Sequence, residues 1–236
     1  MYLPGAEEWG LDSPEVNGTD VYHSGSGRVR DEWLSRCREE RALTTDLMSE
    51  VISLPNLTAS LRRVISNGGT GGVDGMTVKD LSVWFSTHYQ TLIGDLKTNQ
   101  YRVSQIRGVQ IPKAKGGYRQ LGIPTVKDRL VQQGINLVLE RYKDPTFSQY
   151  SYGFRKGKGT RPCLKQACAY VEGGYRYIVD IDLAKFFDEV NHDRLLWMLS
   201  RRIGDKRLLK LISKFLKSGL MEGGLSNQRT KGTPQG

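Results

Sequence analysis

The sequence IPKAKGGYRQLGIPTVKDRLVQQ, residues 111–133, decides the fold. Residues 106–112 and 118–123, on either side of a short glycine-containing tip at 114–117, alternate in polarity or are β-branched. This pattern predicts an antiparallel β-hairpin. Thr125, followed by Asp128 at the third position after it, predicts the capped start of an apolar-faced helix. A hairpin that leads directly into such a helix indicates an α+β fold.

The rest of the chain is mainly helical in pattern. Apolar residues at helical spacing predict helices within 31–54, over 57–67, from 78 onward, and at 162–170, 192–201 and 206–217. Asn191 and Asp205 are the expected N-caps of the last two. Residues 175–181 are aromatic and β-branched and predict a short buried strand. The first 30 residues, rich in Gly, Ser, Asp and Pro, predict a loose arm before structure begins near Asp31.

The composition points to a polyanionic partner. A formal net charge of +10 favours binding to nucleic acid or to an anionic membrane face, and charge alone does not choose between them. No apolar run approaches the roughly 20 residues that span a bilayer, so we expect a cytoplasmic protein that does not enter a membrane. Cys37, Cys163 and Cys168 form no zinc-ligand spacing with the histidines and are expected to be reduced.

Two acids stand at the end of the predicted strand, in YIVDIDLAKFFDEVNH, residues 177–192. Asp180 and Asp182 are two residues apart, so both carboxylates can face the same side of a strand. Two carboxylates without a basic neighbour in the strand bind a metal or carry a raised pKa when they are buried. The alternative is that the strand ends at Ile181 and the acids are solvated.

Two glycine-containing segments have several possible roles. YSYGFRKGKGTRPCLKQA, residues 150–167, mixes cations with aromatic side chains, which favours contact with phosphates and unpaired bases. A generic basic loop with core aromatics is the competing interpretation. GGTGGVDGMT, residues 68–77, lacks the Gly-Lys-Ser/Thr ending of a phosphate-binding P-loop. Its glycines allow a turn or a close approach of the backbone to RNA.

The order of these segments, ending in GTPQG at 232–236, resembles the reverse transcriptases encoded by group II introns over roughly residues 54–236. The resemblance implies helix-rich fingers with an antiparallel hairpin at 31–173, after the arm at 1–30. It implies a partial right-hand polymerase palm, ferredoxin-like and incomplete, at 174–236. Val103, Gln120 and Lys156 stand where the family often has Pro, which affects the shape of the loops.

The resemblance also implies the roles of individual residues. Asp182 would be the catalytic acid, binding two Mg²⁺ with help from the Leu183 backbone carbonyl. Lys113 and Arg119 would contact the triphosphate of the incoming dNTP. Phe187 would act as the gate against a ribose 2′-hydroxyl, and Gln235 would line the nucleotide pocket. Phe187 as a core aromatic and Lys115 as a solvating residue are the competing interpretations.

The expected partners are group II intron RNA and an RNA template with a DNA primer, with a homodimer as a further possibility. The residues expected to bind RNA are Arg62, Arg63, Arg107, Arg155, Lys156, Lys158 and Arg161. The family's paired aspartates, which complete the two-metal site, are expected beyond GTPQG, so we expect little polymerase activity from these residues alone. The alternatives are an RNA-binding maturase module, or the reverse transcriptase of a retron or a diversity-generating element.

Overall fold

A computed structural model describes residues 46–113, 116–227 and 229–233. Packing divides the chain into Met1–Glu39 and Glu40–Gly236, and all described residues belong to the second unit. The predicted arm, the start near Asp31, Cys37, the hairpin tip at 114–115 and Gln235 lie outside the described residues. Cys163 and Cys168 are free thiols, as predicted.

Seven helices lie in the described residues. They are α1 Leu47–Val51, α2 Leu54–Asn67, α3 Val78–Lys97, α4 Val126–Lys143, α5 Thr160–Glu172, α6 His192–Ser200 and α7 Lys206–Leu216. Pro55 does not interrupt a helix but stands in the first turn of α2, where a missing backbone N–H costs nothing. None of these helices is both long and apolar enough to cross a membrane.

The sheet has four strands in the order β2-β1-β3-β4. Strands β1 (Ile106–Pro112) and β2 (Tyr118–Ile123) form the predicted antiparallel hairpin, with Ile111 opposite Arg119. Strand β3 (Leu220–Glu222) pairs in parallel with β1, and β4 (Leu225–Asn227) pairs with β3 in an antiparallel hairpin. The sequence did not predict β3 and β4, because three residues are too few to show an alternating pattern.

The core lies between α1, α2, α3, α4 and α7. Its fully buried side chains include Leu47, Val51, Leu57, Leu81, Leu130, Val131 and Leu208. Burying a leucine stabilises the fold by about 2 kcal/mol, so this shared core outweighs any single polar contact. Asp205, the predicted N-cap of α7, accepts from the backbone N–H groups of Arg207 and Leu208 and also from Met48 in α1 at 2.8 Å. One carboxylate therefore caps α7 and holds the start of α1 beside it.

Asp128 is the second buried carboxylate, and it joins the hairpin to α4. Its oxygens accept from the Tyr101 hydroxyl at 2.8 Å, the Thr125 hydroxyl at 2.8 Å and the Ser104 backbone N–H at 3.1 Å. The Thr125 oxygen in turn accepts from the Asp128 N–H, which confirms the predicted cap. Burial raises the pKa of Asp128 despite these hydrogen bonds, which lower it. The pKa of Tyr101 is raised by burial and by the charge of Asp128.

The glycine-rich segment is a loop, as predicted, and it packs against the start of α4. A Cβ on Gly72 would lie 2.6 Å from the Thr125 Cα, so no larger residue fits there. The Arg129 guanidinium donates to the carbonyls of Gly68 at 3.0 Å and Thr70 at 2.7 Å. The loop is therefore fastened to the same helix turn that carries Asp128.

The predicted buried strand at 175–181 is wrong in this structure. These residues are not in a strand, and Tyr177, Val179 and Ile181 are each more than four-fifths exposed. A strand needs a hydrogen-bonded neighbour and a cover for its apolar side chains. Among the described residues, all strands are used in the β1–β4 sheet and none pairs with this segment. Asp180 and Asp182 are consequently exposed, not buried.

Substitution of Asp128 should test the junction. Asp128→Ala leaves two hydroxyls and one N–H without their acceptor and should lower the free energy of unfolding by about 3 kcal/mol in urea titrations. Asp128→Asn keeps the shape and should cost less. Because burial raises the pKa of Asp128 in the folded state, its contribution to stability falls as pH rises from the ordinary carboxyl pKa of 3.8 through the raised pKa of the folded state.

Asp128→Asn should remove that part of the pH dependence. The control is Glu172→Ala at the exposed end of α5, which should leave stability nearly unchanged at every pH. Equal stability of Asp128→Ala and the parent protein would contradict the assignment.

Candidate functional site

The candidate site begins at the turn after Asp182. Asp182, Leu183 and Phe187 line one open pocket of about 510 Å³, with Ile181, Lys185 and Phe186 completing its wall. Lys185 adopts a left-handed conformation, with φ of 53°, and this reverses the chain between Asp182 and the 3-10 turn Phe186–Asp188. A non-glycine residue in that conformation is uncommon and is often found at functional sites. The structure therefore brings three predicted site residues together.

Phe187 is not a core residue in this structure. Its ring and that of Phe186 meet edge to face, with centroids 5.4 Å apart, and each side chain is about half exposed. A half-exposed aromatic pair beside a carboxylate offers an apolar surface to a bound molecule. The interpretation of Phe187 as a buried packing residue does not fit the described structure.

The first residues of GTPQG lie on this turn. The Thr233 N–H donates to the Phe187 carbonyl at 2.8 Å, and the Gly232 N–H donates to the Val190 carbonyl at 2.7 Å. Lys231 forms a bridge with Asn191 in the antiparallel sense, and its ammonium group contacts Glu189 at 2.6 Å. The hydrogen bond from Lys231 lowers the pKa of Glu189. Two segments that are far apart in the sequence are thus adjacent in space.

Gly232 is the residue that permits this contact. Its φ is +80°, and a Cβ at this position would lie 2.8 Å from the Asp188 carbonyl oxygen. Both the conformation and the spacing require glycine. The glycine of the motif is therefore explained by close packing against the turn.

Lys113 and Arg119 lie together on the hairpin. Arg119 is paired with Ile111, and the Lys113 N–H donates to the Gly117 carbonyl at 2.9 Å, which extends the β1–β2 ladder. Because side chains alternate along a strand, Lys113, Ile111 and Arg119 fall on the same face of the sheet. Both cationic side chains are exposed. The hairpin thus presents two cations on one face, which suits a polyphosphate.

The donor set around Asp182 is suited to a hard divalent cation. Carboxylate and carbonyl oxygens are the ligands that Mg²⁺ takes in proteins, and Asp182 and Leu183 provide one of each. Over the parts of the chain that the structure describes, no group of three or more His, Cys, Asp or Glu side chains is placed to hold a metal ion. Asp182 and Leu183 alone offer only two of the several oxygen ligands that such an ion takes.

Two of the predicted RNA-binding residues line one groove. Arg63 and Lys156 share an open groove of about 590 Å³ with Arg141, between α2, α4 and the loop after α4. Glu140 and Asp144 also line it, but Glu140 is paired with Arg63 at 3.4 Å and Asp144 with Arg155 at 2.7 Å. Arg141 is paired with Glu50 at 3.0 Å, so the lining, with three cations against two acids, is only weakly cationic.

Arg155 differs from the other predicted RNA-binding residues because its guanidinium is held inside the loop. It binds both carboxylate oxygens of Asp144 and donates to the backbone carbonyls of Asp144, Ser148 and Ser151. These hydrogen bonds lower the pKa of Asp144. With its donors used in this way, Arg155 shapes the loop and is not available as a phosphate ligand in this structure.

The remaining predicted RNA-binding residues are scattered. Lys158 donates to the Gln149 carbonyl at 3.0 Å and lies over the Tyr152 ring. Arg107 reaches the Gly71 carbonyl at 3.4 Å, which joins β1 to the glycine loop. Arg62 and Arg161 are exposed, on α2 and at the start of α5. The structure does not bring these four into one site.

Two residues that organise the site were not predicted from the sequence. The buried His192 ring contacts the Gly232 carbonyl at 2.7 Å, and Arg129 holds the glycine loop. Both contacts join residues far apart in the sequence, so spacing gives no signal for them. In the sequence, the only sign of a role for His192 was its position directly after the predicted N-cap Asn191.

Comparison with known proteins gives the class of the chain. The family model for reverse transcriptase (RNA-dependent DNA polymerase) matches residues 111–236, more than half of the chain. The chain therefore belongs to the reverse transcriptase family. A solved structure, a partial Cas6-RT-Cas1–Cas2 complex, superposes with a TM-score of 0.52 and 24% identity over 82% of this chain and 32% of that chain. That likeness shows a shared fold.

Two named relatives are similar to this chain over part of their length. Group II intron-encoded protein LtrA of Lactococcus lactis subsp. cremoris is 34% identical over 61% of this chain and 24% of its own length. Protein YkfC of Escherichia coli (strain K12) is 31% identical over 83% of this chain and 53% of its own length. The chain is thus similar to a protein encoded by a group II intron, and it has the α+β fold predicted from its sequence. It spans between about a quarter and about half of these two relatives.

Proposed function

We propose that this chain supplies the fingers and the first part of the palm of an RNA-directed DNA polymerase of the group II intron type. The intact enzyme would add dNTPs to a DNA primer on an RNA template. The single observation that carries the proposal is the contact of Gly232 and Thr233 with the turn at Phe187 and Val190. It joins the two segments that the family resemblance assigns to the metal site and the nucleotide pocket.

Reverse transcriptases generally use divalent metal ions. We propose that Asp182 and the Leu183 carbonyl would help to bind two Mg²⁺ ions in the intact enzyme. When bound, the ions would supply activation of the primer 3′-oxygen and stabilisation of the leaving pyrophosphate. The exposure of Asp182 leaves its oxygens accessible to ligands. Further acids would be needed to complete the site, because one carboxylate and one carbonyl do not fill the coordination of two ions.

The hairpin would bind the triphosphate of the incoming dNTP. Lys113 supplies a point charge, and the planar Arg119 guanidinium can contact two phosphate oxygens at once. The half-exposed Phe187 ring would face the sugar and exclude a ribose 2′-hydroxyl. Gln235, two residues beyond Thr233, would line the same pocket.

Primer extension by the full-length gene product on an RNA template tests this function. Asp182→Asn preserves size and removes the charge that would hold the metal, so it should lower the rate of dNTP incorporation by about a thousandfold or more. Mg²⁺ titration should show loss of saturation in the variant.

Asp193→Asn is the matched control, because Asp193 is an exposed acid in the first turn of α6. It should retain parental activity. Undiminished extension by Asp182→Asn would contradict the proposed function.

A second function, binding of intron RNA as a splicing maturase, is supported by the groove that contains Arg63, Arg141 and Lys156. An open groove with several cations suits a phosphate backbone, whose binding releases counterions. Its mixed apolar and polar lining would also admit an unstacked nucleotide. This function does not require the Asp182 site, so it could be present without catalysis.

Filter binding to group II intron RNA across a salt series tests the groove. Arg63→Gln with Lys156→Gln should weaken binding and reduce the slope of log affinity against log salt by about 1–2. Lys97→Gln, at the exposed end of α3, is the control and should change neither quantity. An unchanged salt slope in the double variant would rule out the groove as the RNA contact.

A further inference from the structure

His192 is the buried side chain that faces the start of GTPQG. Only 3% of its surface is exposed, and its Nε2 lies 2.7 Å from the Gly232 carbonyl oxygen. A carbonyl oxygen can only accept a hydrogen bond, so Nε2 carries the proton and donates. The ring is fixed at the N-terminus of α6, where the Asn191 side chain accepts from the Arg194 N–H. A capped helix end thus holds the donor in place.

The hydrogen bond from His192 adds to a set of contacts that holds Lys231, Gly232 and Thr233 against residues 187–192. The backbone of Gly232 donates to Val190 at 2.7 Å while its carbonyl accepts from His192. The next residue, Thr233, donates to Phe187 at 2.8 Å. Gly232 is therefore held through both its N–H and its carbonyl, with no space for a Cβ between it and Asp188.

The ion pair beside it cannot replace this hydrogen bond. Lys231 and Glu189 meet at 2.6 Å, but 59% and 55% of their side-chain surfaces are exposed. Exposed ion pairs contribute little, because water screens them and two long side chains must be ordered. Of the two side-chain contacts, the one from His192 is buried and directional, so it decides where Gly232 lies.

We propose that His192 is a positioning residue for the nucleotide pocket. By holding the Gly232 carbonyl, it fixes Gly232 and Thr233 against the turn that carries the Phe187 ring. The inference rests on the proposed polymerase function and adds a residue to it. His192 itself lies beneath the segment and would touch neither the nucleotide nor the metal.

This role predicts a particular kinetic pattern. A looser Gly232 would weaken the contact between Thr233 and the Phe187 turn, so binding of the dNTP and its discrimination from an rNTP would suffer. The turnover number and the KM for primer–template depend on other parts of the site and would change less. A residue that merely stabilises the fold would not separate these quantities.

Steady-state primer extension by the full-length gene product tests the pattern. His192→Leu removes the donor and leaves the buried carbonyl unpaired, which corresponds to an increase of about tenfold in the KM for dNTP. Selection of dNTP over rNTP should fall with it. His192→Gln, whose amide nitrogen can donate from nearly the position of Nε2, should restore most of both. His88→Leu, at an exposed position on α3, should change neither.

Hydrogen exchange followed by mass spectrometry gives a second readout that needs no activity. The amides of Gly232 and Thr233 should be protected in the parent protein and in His192→Gln, and should exchange faster in His192→Leu. If His192→Leu does not fold, exchange in the parent and His192→Gln proteins still tests the hydrogen bonds at Gly232 and Thr233. Rapid exchange of both amides in the parent protein would show that these hydrogen bonds do not form in solution.

Failure of the proposed polymerase function and failure of the proposed role of His192 would give different results. An inactive parent enzyme contradicts the proposed polymerase function, while the exchange measurement still decides the contact at Gly232. An active parent enzyme with an unchanged KM for dNTP in folded His192→Leu overturns the positioning role. Equal increases in the KM for dNTP and for primer–template would do so as well.

Discussion

The buried Asp128 carboxylate is the interaction on which the arrangement of the hairpin, α4 and the glycine loop depends. It joins the residues before β1, through Tyr101 and Ser104, to the N-cap of α4 at Thr125. The same helix turn receives the glycine loop, because Gly72 packs on Thr125 and Arg129 binds the loop carbonyls. A carboxylate that is nearly free of solvent is costly unless it is fully hydrogen-bonded, so its partners are held in one arrangement. The hairpin that presents Lys113 and Arg119 starts from this junction.

The Phe187 turn is held differently, by backbone hydrogen bonds and the His192 contact, although α7 beyond it belongs to the shared core. Gly232 and Thr233 bind the turn at Phe187, and His192 closes the contact. The apolar side chains nearby, among them Tyr177, Val179 and Ile181, remain exposed. Large exposed apolar surfaces usually mark places where other protein packs. The site therefore combines a rigid hairpin scaffold with a turn whose surroundings are open in the described structure.

The sequence predicted the local structure well and the long-range contacts poorly. The bounds of β1 and β2 and the caps at Thr125, Asn191 and Asp205 are confirmed, because turn residues and caps act within a few positions. The strand at 175–181 was wrong, since the pattern of a strand does not show whether a partner is present. The links from His192 to Gly232 and from Arg129 to the glycine loop could not be predicted, because both join residues far apart in the chain. Arg155 resembled a free cation in sequence, and only the structure shows its partner Asp144.

The central claim is that the hairpin and the Phe187 turn serve one nucleotide site. The most direct measurement is photocrosslinking of the full-length gene product with two dNTP probes, one reactive at the γ-phosphate and one at the base, followed by peptide mapping. The γ-phosphate probe should label the hairpin peptide 111–123, and the base probe should label peptides near Phe187 or Thr233. Unmodified dNTP should suppress both labels. Competed labelling confined to the Arg63 groove, with none on the hairpin or the Phe187 turn, would show that these two elements do not form the nucleotide site.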